Sequence, residues 1–290
     1  MKVVRIGIGI LLTMLSLYAS AEERPVPVLR VIAPNGKASL LIGSLHVGTA
    51  ELRQPTQGVF DGARVFVVEH FGSRTPPKAQ GNEKGPSLAP WAVDLAEVEL
   101  QTYFLRARCA GIPPELTAQA LTYRSVTYAN QVAYTVCEDA ARYPSRDSWL
   151  EGLAQQRAVP FVALEDDEWI EAQRAKTSDA DSSVALRWIL QRDPKVVLSG
   201  VVRALNAGDY DQVAALWRQS FGSEAAPSSS EAVMVQGRNR AWMPRLRNVL
   251  GKGDAIVLVG ATHLAGPQGL VALLRRDGFQ VTAVAVPAAD

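Results

Sequence analysis

Two of the three histidines in this chain follow a glycine by three positions, at the end of an apolar run. Gly43 precedes His46 after the run 38–42, and Gly260 precedes His263 after the run 255–259. A glycine at a strand end lets the backbone turn tightly and approach a ligand closely. Because open α/β sheets bind ligands beyond the carboxyl ends of their strands, the repeated Gly-x-x-His spacing indicates a ligand site with two imidazoles.

A carboxylate completes this set, since Glu69 ends a third apolar run. His46, Glu69 and His263 then stand at three predicted strand ends of one sheet. Two imidazoles and a carboxylate can hold Mn²⁺, Co²⁺ or Zn²⁺ and leave a position for water, which the metal would activate for hydrolysis. The residues alone leave a structural alternative open, in which the histidines merely pack at strand ends and Glu69 caps a helix or forms an ion pair.

Glu165 is a further candidate catalytic residue, because it follows another apolar run, residues 160–164. One carboxylate cannot easily be a metal ligand and a general base together. If Glu69 binds the metal, Glu165 is the next candidate for the base, and it could also be an additional ligand or support one. An ordinary acidic loop explains Glu165 and its neighbours 166–168 equally well. His70 is expected to point to the opposite face from Glu69.

Arg238, Asn239 and Arg240 lie together on a predicted late helix, residues 231–250. Guanidinium and amide donors in this position could bind a substrate carboxylate or a developing oxyanion. The alternative is that the arginines form a solvated helix face.

Charge and missing motifs exclude several classes of protein. Thirty Lys and Arg residues against 29 Asp and Glu give a net charge of +1, which predicts neither nucleic-acid binding nor attraction to anionic membranes. After the first 21 residues the chain has no glycine-rich nucleotide loop, no Gly-x-Ser-x-Gly of serine hydrolases and no His-Glu-x-x-His of zincin proteases. The expected partner is a peptide or small-molecule substrate.

Apolar runs flanked by turn residues predict the strands that position these side chains. Residues 26–32 and 38–42 flank Asn35-Gly36, which is a strong hairpin signal. Further strands are predicted at 64–69, 160–164, 255–259 and 280–286.

The middle of the chain has a different, mostly helical pattern between residues 91 and 221. Residues 71–90 are rich in Gly, Pro, Ser, Lys and Asn, residues 223–230 are mostly small, and both stretches are expected to be loops. The sequence therefore predicts an α/β fold with a mixed central sheet, formed by the N- and C-terminal segments, and a largely helical insertion at about 91–221.

The first 21 residues have the pattern of an export signal. Lys2 and Arg5 precede the apolar run 6–18, and Ala19-Ser20-Ala21 provides small residues for cleavage. We expect a domain of residues 22–290 that is periplasmic or secreted. No later stretch predicts a membrane span.

Cys109 and Cys137 lie 28 positions apart, a spacing that matches no metal or redox motif. Export to an oxidising compartment would allow a disulfide between them. Two buried thiols are the alternative.

Four stretches resemble the TraB/GumN family: residues 41–48, 67–69, 238–240 and 259–270. Their order and spacing match over nearly all of the predicted mature chain, and the closing Gly-x-x-His…Gly-Pro-x-Gly-Leu stretch is the most specific. The resemblance implies similarity to Tiki-type metalloproteases and, more remotely, to erythromycin esterases and a haem-binding lipoprotein group. It implies that His46 and His263 are the paired motif histidines, Glu69 the acidic partner, and Arg238 with Asn239 the late polar pair.

Two hypotheses of function follow. The first is a metal-dependent, peptidase-like hydrolase of the cell envelope that uses His46, Glu69 and His263. The second is a catalytically inactive envelope protein for binding or signalling that holds haem, a metal or a peptide in the same pocket.

Overall fold

The computed structural model describes residues 25–70, 81–82, 85–123, 125–222 and 228–289. The predicted export signal and most of the predicted loop 71–90 therefore lie outside the described residues. The predicted hairpin is confirmed: Gly36 adopts φ 82° in its turn, and the Asn35 side chain accepts a hydrogen bond from the Lys37 amide at 3.2 Å. A positive φ of this kind favours glycine.

The strands form a six-stranded sheet and a separate two-stranded ribbon in the described part of the chain. They are β1 (Val26–Ile32), β2 (Ala38–Ser44), β3 (Val65–Val68), β4 (Gly81–Asn82), β5 (Gly85–Pro86), β6 (Phe161–Ala163), β7 (Ala255–Gly260) and β8 (Gln280–Val286). The large sheet has the order β6-β3-β7-β2-β1-β8. Strands β6, β3, β7 and β2 are parallel, and β1 is antiparallel to β2 and β8. The predicted mixed sheet is thus confirmed.

Helices fill the middle of the chain and flank the late strands, as predicted. They are α1 (Pro90–Val93), α2 (Glu97–Cys109), α3 (Pro114–Ala120), α4 (Thr127–Ala133), α5 (Arg146–Gln156), α6 (Asp167–Arg174), α7 (Asp179–Leu190), α8 (Pro194–Ala207), α9 (Tyr210–Gln219), α10 (Ser229–Glu231), α11 (Arg238–Lys252) and α12 (Leu270–Arg276). Short 3₁₀ turns cover Gln57–Phe60 and Ala261–Leu264. Among the described residues, no helix combines the length and apolarity that crossing a membrane requires.

Both faces of the sheet are covered, which explains the uninterrupted apolar run of β7. Val257 and Val259 pack on one face in a core that includes Leu246 of α11. Ile256 and Leu258 pack on the other face in a core that includes Leu150 of α5. The helical insertion buries its own cluster, which α1, α2, α4 and α7 contribute.

The predicted late helix differs from expectation in its first turns. A π-helix, Ala232–Gly237, lies between α10 and α11. A π-turn adds residues to a helical turn and is often found beside functional sites. The predicted linker 223–230 is also shorter than expected, because α10 begins at Ser229 and the Ser228 hydroxyl accepts from the Glu231 amide at 3.1 Å.

A disulfide joins Cys109 at the end of α2 to Cys137, with the Cα atoms 4.9 Å apart. It ties α2 to the segment between α4 and α5. That segment leads directly into Arg146 and Asp147, which contact the site described below.

Replacing both cysteines with serine is expected to lower the free energy of unfolding by about 2–4 kcal/mol, because the bridge closes a loop between residues 28 positions apart and restricts the unfolded chain. Urea unfolding of the oxidised protein and of Cys109→Ser/Cys137→Ser measures the difference. The oxidised protein treated with a reductant is the control and should unfold like the variant. Equal unfolding midpoints for all three samples would contradict this expectation.

Candidate active site

The four parallel strands deliver polar side chains to one edge of the sheet. His46 follows β2, Glu69 follows β3, Glu165 follows β6, and His263 lies in the 3₁₀ turn after β7. Carboxyl ends of neighbouring parallel strands necessarily lie at the same edge. The structure thus brings together the residues that were predicted from separate strand ends.

Three of these side chains meet beside Gly260. The Gly260 amide donates to Glu69 Oε1 at 2.6 Å. A Cβ atom at position 260 would lie 3.3 Å from both Glu69 Oε1 and His46 Nε2, and 3.5 Å from His263 Cδ2. Gly260 therefore provides the close approach expected of a motif glycine. Gly43 does something different: it lies inside β2, where a Cβ would come within 2.6 Å of the Tyr210 ring, so its missing side chain allows packing.

Each imidazole is anchored through its Nδ1 atom. His46 Nδ1 lies 3.0 Å from Asp147 Oδ2, and His263 Nδ1 lies 2.7 Å from Asn239 Oδ1. The Asn239 amide nitrogen donates to the His263 carbonyl at 3.1 Å, which fixes its oxygen toward the ring. Because both partners accept, each ring has a proton on Nδ1, and the neutral form of each ring then has its lone pair on Nε2. This arrangement is typical of histidines that bind metals.

Arg238 connects the two carboxylates of the site. Its Nη2 donates to Glu69 Oε2 at 2.6 Å and to Glu165 Oε1 at 2.5 Å, and its Nη1 lies 3.2 Å from His263 Nε2. Trp242 lies beneath the guanidinium at 4.6 Å and donates from Nε1 to Glu165 Oε2 at 2.9 Å. The site therefore contains a buried arginine between two carboxylates, against an aromatic wall.

These contacts shift the protonation equilibria in different directions. Burial raises the pKa of Glu69, but the positive charge of Arg238, electrostatic interactions with His263 and His46, and the hydrogen bond from the Gly260 amide bring it well below its usual range. Burial lowers the pKa of His263 to about 3, although Glu69 opposes this shift. Burial raises the pKa of Glu165 against the opposing hydrogen bonds and charge of Arg238. Glu69 is thus an anion beside a neutral imidazole, and Glu165 is the carboxyl group that more readily accepts a proton.

The helix that carries the late polar residues separates them. Arg238 and Asn239 are buried and join the site, but Arg240 is exposed. At 3.6 residues per turn, position 240 lies about 200° around the helix from position 238. The structure therefore does not bring Arg240 together with the other predicted site residues. His70 also lies outside the group, because its Nε2 pairs with Asp167 at the start of α6.

Sequence reasoning missed Asp147 and Trp242. Asp147 lies in the first turn of α5, which Ser145 caps. Nothing in the sequence links Asp147 to His46, which lies 101 positions earlier. Trp242 lies one helical turn after Arg238, so its position on the same face could have been found from helical spacing.

The donor set fits a divalent metal in its chemistry. It offers two imidazole Nε2 atoms with anchored rings and one ionised carboxylate, a combination found in open catalytic zinc sites. Within the described residues, however, no three His, Cys, Asp or Glu side chains are arranged closely enough to hold an ion as they stand. Arg238 Nη1 lies beside His263 Nε2, so binding of a metal to this nitrogen requires that contact to open.

Comparison with known proteins places the chain at the level of a family. It matches no curated protein and no solved structure significantly. Residues 28–283, nearly the whole described chain, match the TraB/PrgY/gumN family. All the site residues described above lie within this match, and the resemblance inferred from the motifs is confirmed. The chain belongs to the TraB/PrgY/gumN family.

Proposed function

We propose that this protein is an exported, metal-dependent hydrolase of the cell envelope that acts on peptide or ester bonds. The observation that supports it most is the meeting of His46 Nε2, Glu69 Oε1 and the His263 ring beside Gly260, with both imidazoles anchored through Nδ1. His46, Glu69 and His263 would hold Mn²⁺, Co²⁺ or Zn²⁺. When bound, the metal would lower the pKa of a water molecule to about 7 and polarise the substrate carbonyl.

The remaining residues have separate roles in this proposal. Glu69 has a lowered pKa and suits the role of a ligand, whereas Glu165 has a raised pKa and suits the acceptance of a proton from the attacking water. Arg238 can donate to an oxyanion, because its guanidinium reaches the same edge of the sheet. Asn239 keeps His263 in the tautomer that offers Nε2.

Export is part of the proposal and has support of its own. Two observations support it: the signal pattern of residues 1–21 and the disulfide between Cys109 and Cys137. Disulfides form and persist mainly in oxidising compartments such as the periplasm.

The test is hydrolysis of a panel of peptides and carboxylic esters by the purified protein loaded with Mn²⁺, Co²⁺ or Zn²⁺. We expect turnover that a chelator removes, and Glu165→Gln should lower kcat by about 10²–10⁴-fold while metal content stays unchanged. Metal-loaded protein that turns over no member of the panel would contradict the proposal.

A binding protein without turnover is the second candidate. The observation in its favour is the Arg238 guanidinium, whose Nη2 already pairs with the two carboxylates and whose Nη1 lies 3.2 Å from His263 Nε2. Such a pocket would hold haem, a metal or a peptide. Tight retention of one of these ligands by protein that hydrolyses nothing would favour this candidate.

Gly260→Ala tests the close approach at the site without removing any of its side chains. Gly260 has φ −51°, which alanine adopts readily, but the new Cβ would lie 3.3 Å from His46 Nε2 and Glu69 Oε1. We expect metal affinity to fall about tenfold or more, comparable to the loss of a supporting contact. Isothermal titration measures the affinity, and Gly251→Ala, where nothing lies within 4 Å, is the control. Unchanged affinity in Gly260→Ala would show that the metal does not bind beside Gly260.

A further inference from the structure

The first turn of α5 holds the loop that carries His46. Arg146 is fully buried and donates to the Gly43 carbonyl at 2.8 Å and to the Arg53 carbonyl at 2.6 Å. Its own amide donates to the Leu45 carbonyl at 3.4 Å. These bonds reach both sides of His46 in sequence, so the helical insertion fixes the backbone of this loop against the sheet.

Asp147, the next residue of α5, acts on the side chains of the same loop. Its Oδ2 accepts from Ser44 Oγ at 2.5 Å and lies 3.0 Å from His46 Nδ1. The Ser44 hydroxyl donates to this carboxylate, so Asp147 is itself oriented by a second hydrogen bond. One oxygen of Asp147 thus joins the end of β2 to the imidazole two residues later.

The two site histidines differ in how deeply their rings are buried. The His263 ring is 4% exposed, lies 4.5 Å from the Trp242 ring and is fixed by packing as well as by Asn239. The His46 side chain is 44% exposed. A half-exposed imidazole can rotate and exchange tautomers unless a hydrogen bond holds it. Packing thus holds the His46 ring less tightly than the His263 ring, and Asp147 contacts the His46 ring at Nδ1.

We propose that Asp147 is a positioning residue, which holds the His46 ring in the Nδ1–H tautomer with Nε2 toward Gly260. The effect on metal binding rests on the proposed function, whereas the effect on the tautomer does not. Carboxylates that orient metal-binding histidines in this way contribute about 10–100-fold to metal affinity.

Nitrogen NMR of ¹⁵N-histidine-labelled, metal-free protein tests the tautomer directly, at alkaline pH where a free imidazole is neutral. We expect His46 to carry its proton on Nδ1 in the native protein and to exchange between both tautomers in Asp147→Ala. Asp147→Asn keeps an oxygen acceptor and should retain the Nδ1–H form. The control is Asp139→Asn, because Asp139 bonds the Ala50 amide in the same loop at 3.3 Å. This variant should leave His46 unchanged.

Zn²⁺ titration of the same four proteins supplies the second readout. Asp147→Ala should bind Zn²⁺ about 10–100-fold more weakly than the native protein, and Asp147→Asn should recover most of this loss. A native His46 protonated on Nε2, or a single Nδ1–H form that persists in Asp147→Ala, overturns the proposal. The native spectrum alone decides the first of these outcomes, even if a variant fails to fold. If the His46 tautomer changes in Asp147→Ala but none of the proteins binds Zn²⁺, the result supports the positioning role of Asp147 and contradicts the proposed metal site.

Discussion

His46→Ala is expected to lower metal-dependent hydrolysis by about 1,000-fold or more, since a lost ligand removes several kcal/mol of transition-state stabilisation. The free energy of unfolding should change by less than about 1 kcal/mol, because the His46 side chain is 44% exposed and little packing is lost. Kinetics with the metal-loaded protein and urea unfolding measure the two quantities. The combination separates a functional histidine from one that supports the fold.

His70→Ala is the matched control for this substitution. His70 follows Glu69 directly in sequence, but its ring pairs with Asp167 instead of joining the site. The turnover of His70→Ala should therefore stay close to that of the native protein. Equal turnover in His46→Ala and the native protein would contradict the role given to His46.

Arg238→Met is expected to destabilise the protein by about 3–5 kcal/mol at neutral pH, because it leaves two buried carboxylates without their counter-charge. The Glu69 and Glu165 side chains are 15% and 2% exposed and share this one guanidinium. In the variant their folded-state pKa values should lie above the unfolded ones. The loss of stability should therefore shrink as the pH falls through the range in which they protonate.

Arg240→Met provides the comparison for Arg238→Met on the same helix. Arg240 is exposed, and its replacement should change stability by no more than about 0.5 kcal/mol. Arg238→Met/Glu165→Gln should recover part of the loss, since one uncompensated charge is then absent. Denaturation of the four proteins tests this account, which equal stability of Arg238→Met and Arg240→Met would contradict.

The sheet and most of the site follow from local sequence patterns. Strand β7 is an apolar run that ends in glycine, and the parallel order brings its end beside those of β2, β3 and β6. His46, Glu69, Glu165 and His263 could be placed at one edge for this reason. This placement does not depend on contacts between distant residues, because the carboxyl ends of neighbouring parallel strands lie at the same edge of the sheet.

The remaining features depend on contacts that no local pattern encodes. Asp147 reaches His46 across 101 positions because the helical insertion packs α5 against the sheet. The π-helix Ala232–Gly237 was not predicted, and it directly precedes the buried residues Arg238 and Asn239. The pairing of Cys109 with Cys137 likewise requires the distance between the end of α2 and the segment between α4 and α5.

Metal analysis of the native protein and of the His46→Ala/His263→Ala variant, each purified and loaded with Mn²⁺, Co²⁺ or Zn²⁺, shows whether the chain binds a metal through these histidines. We expect about one equivalent of one of these metals per native chain and its loss in the double variant. A native protein that retains no metal after loading with each ion, or a double variant that retains as much as the native protein, would contradict the proposed metal site.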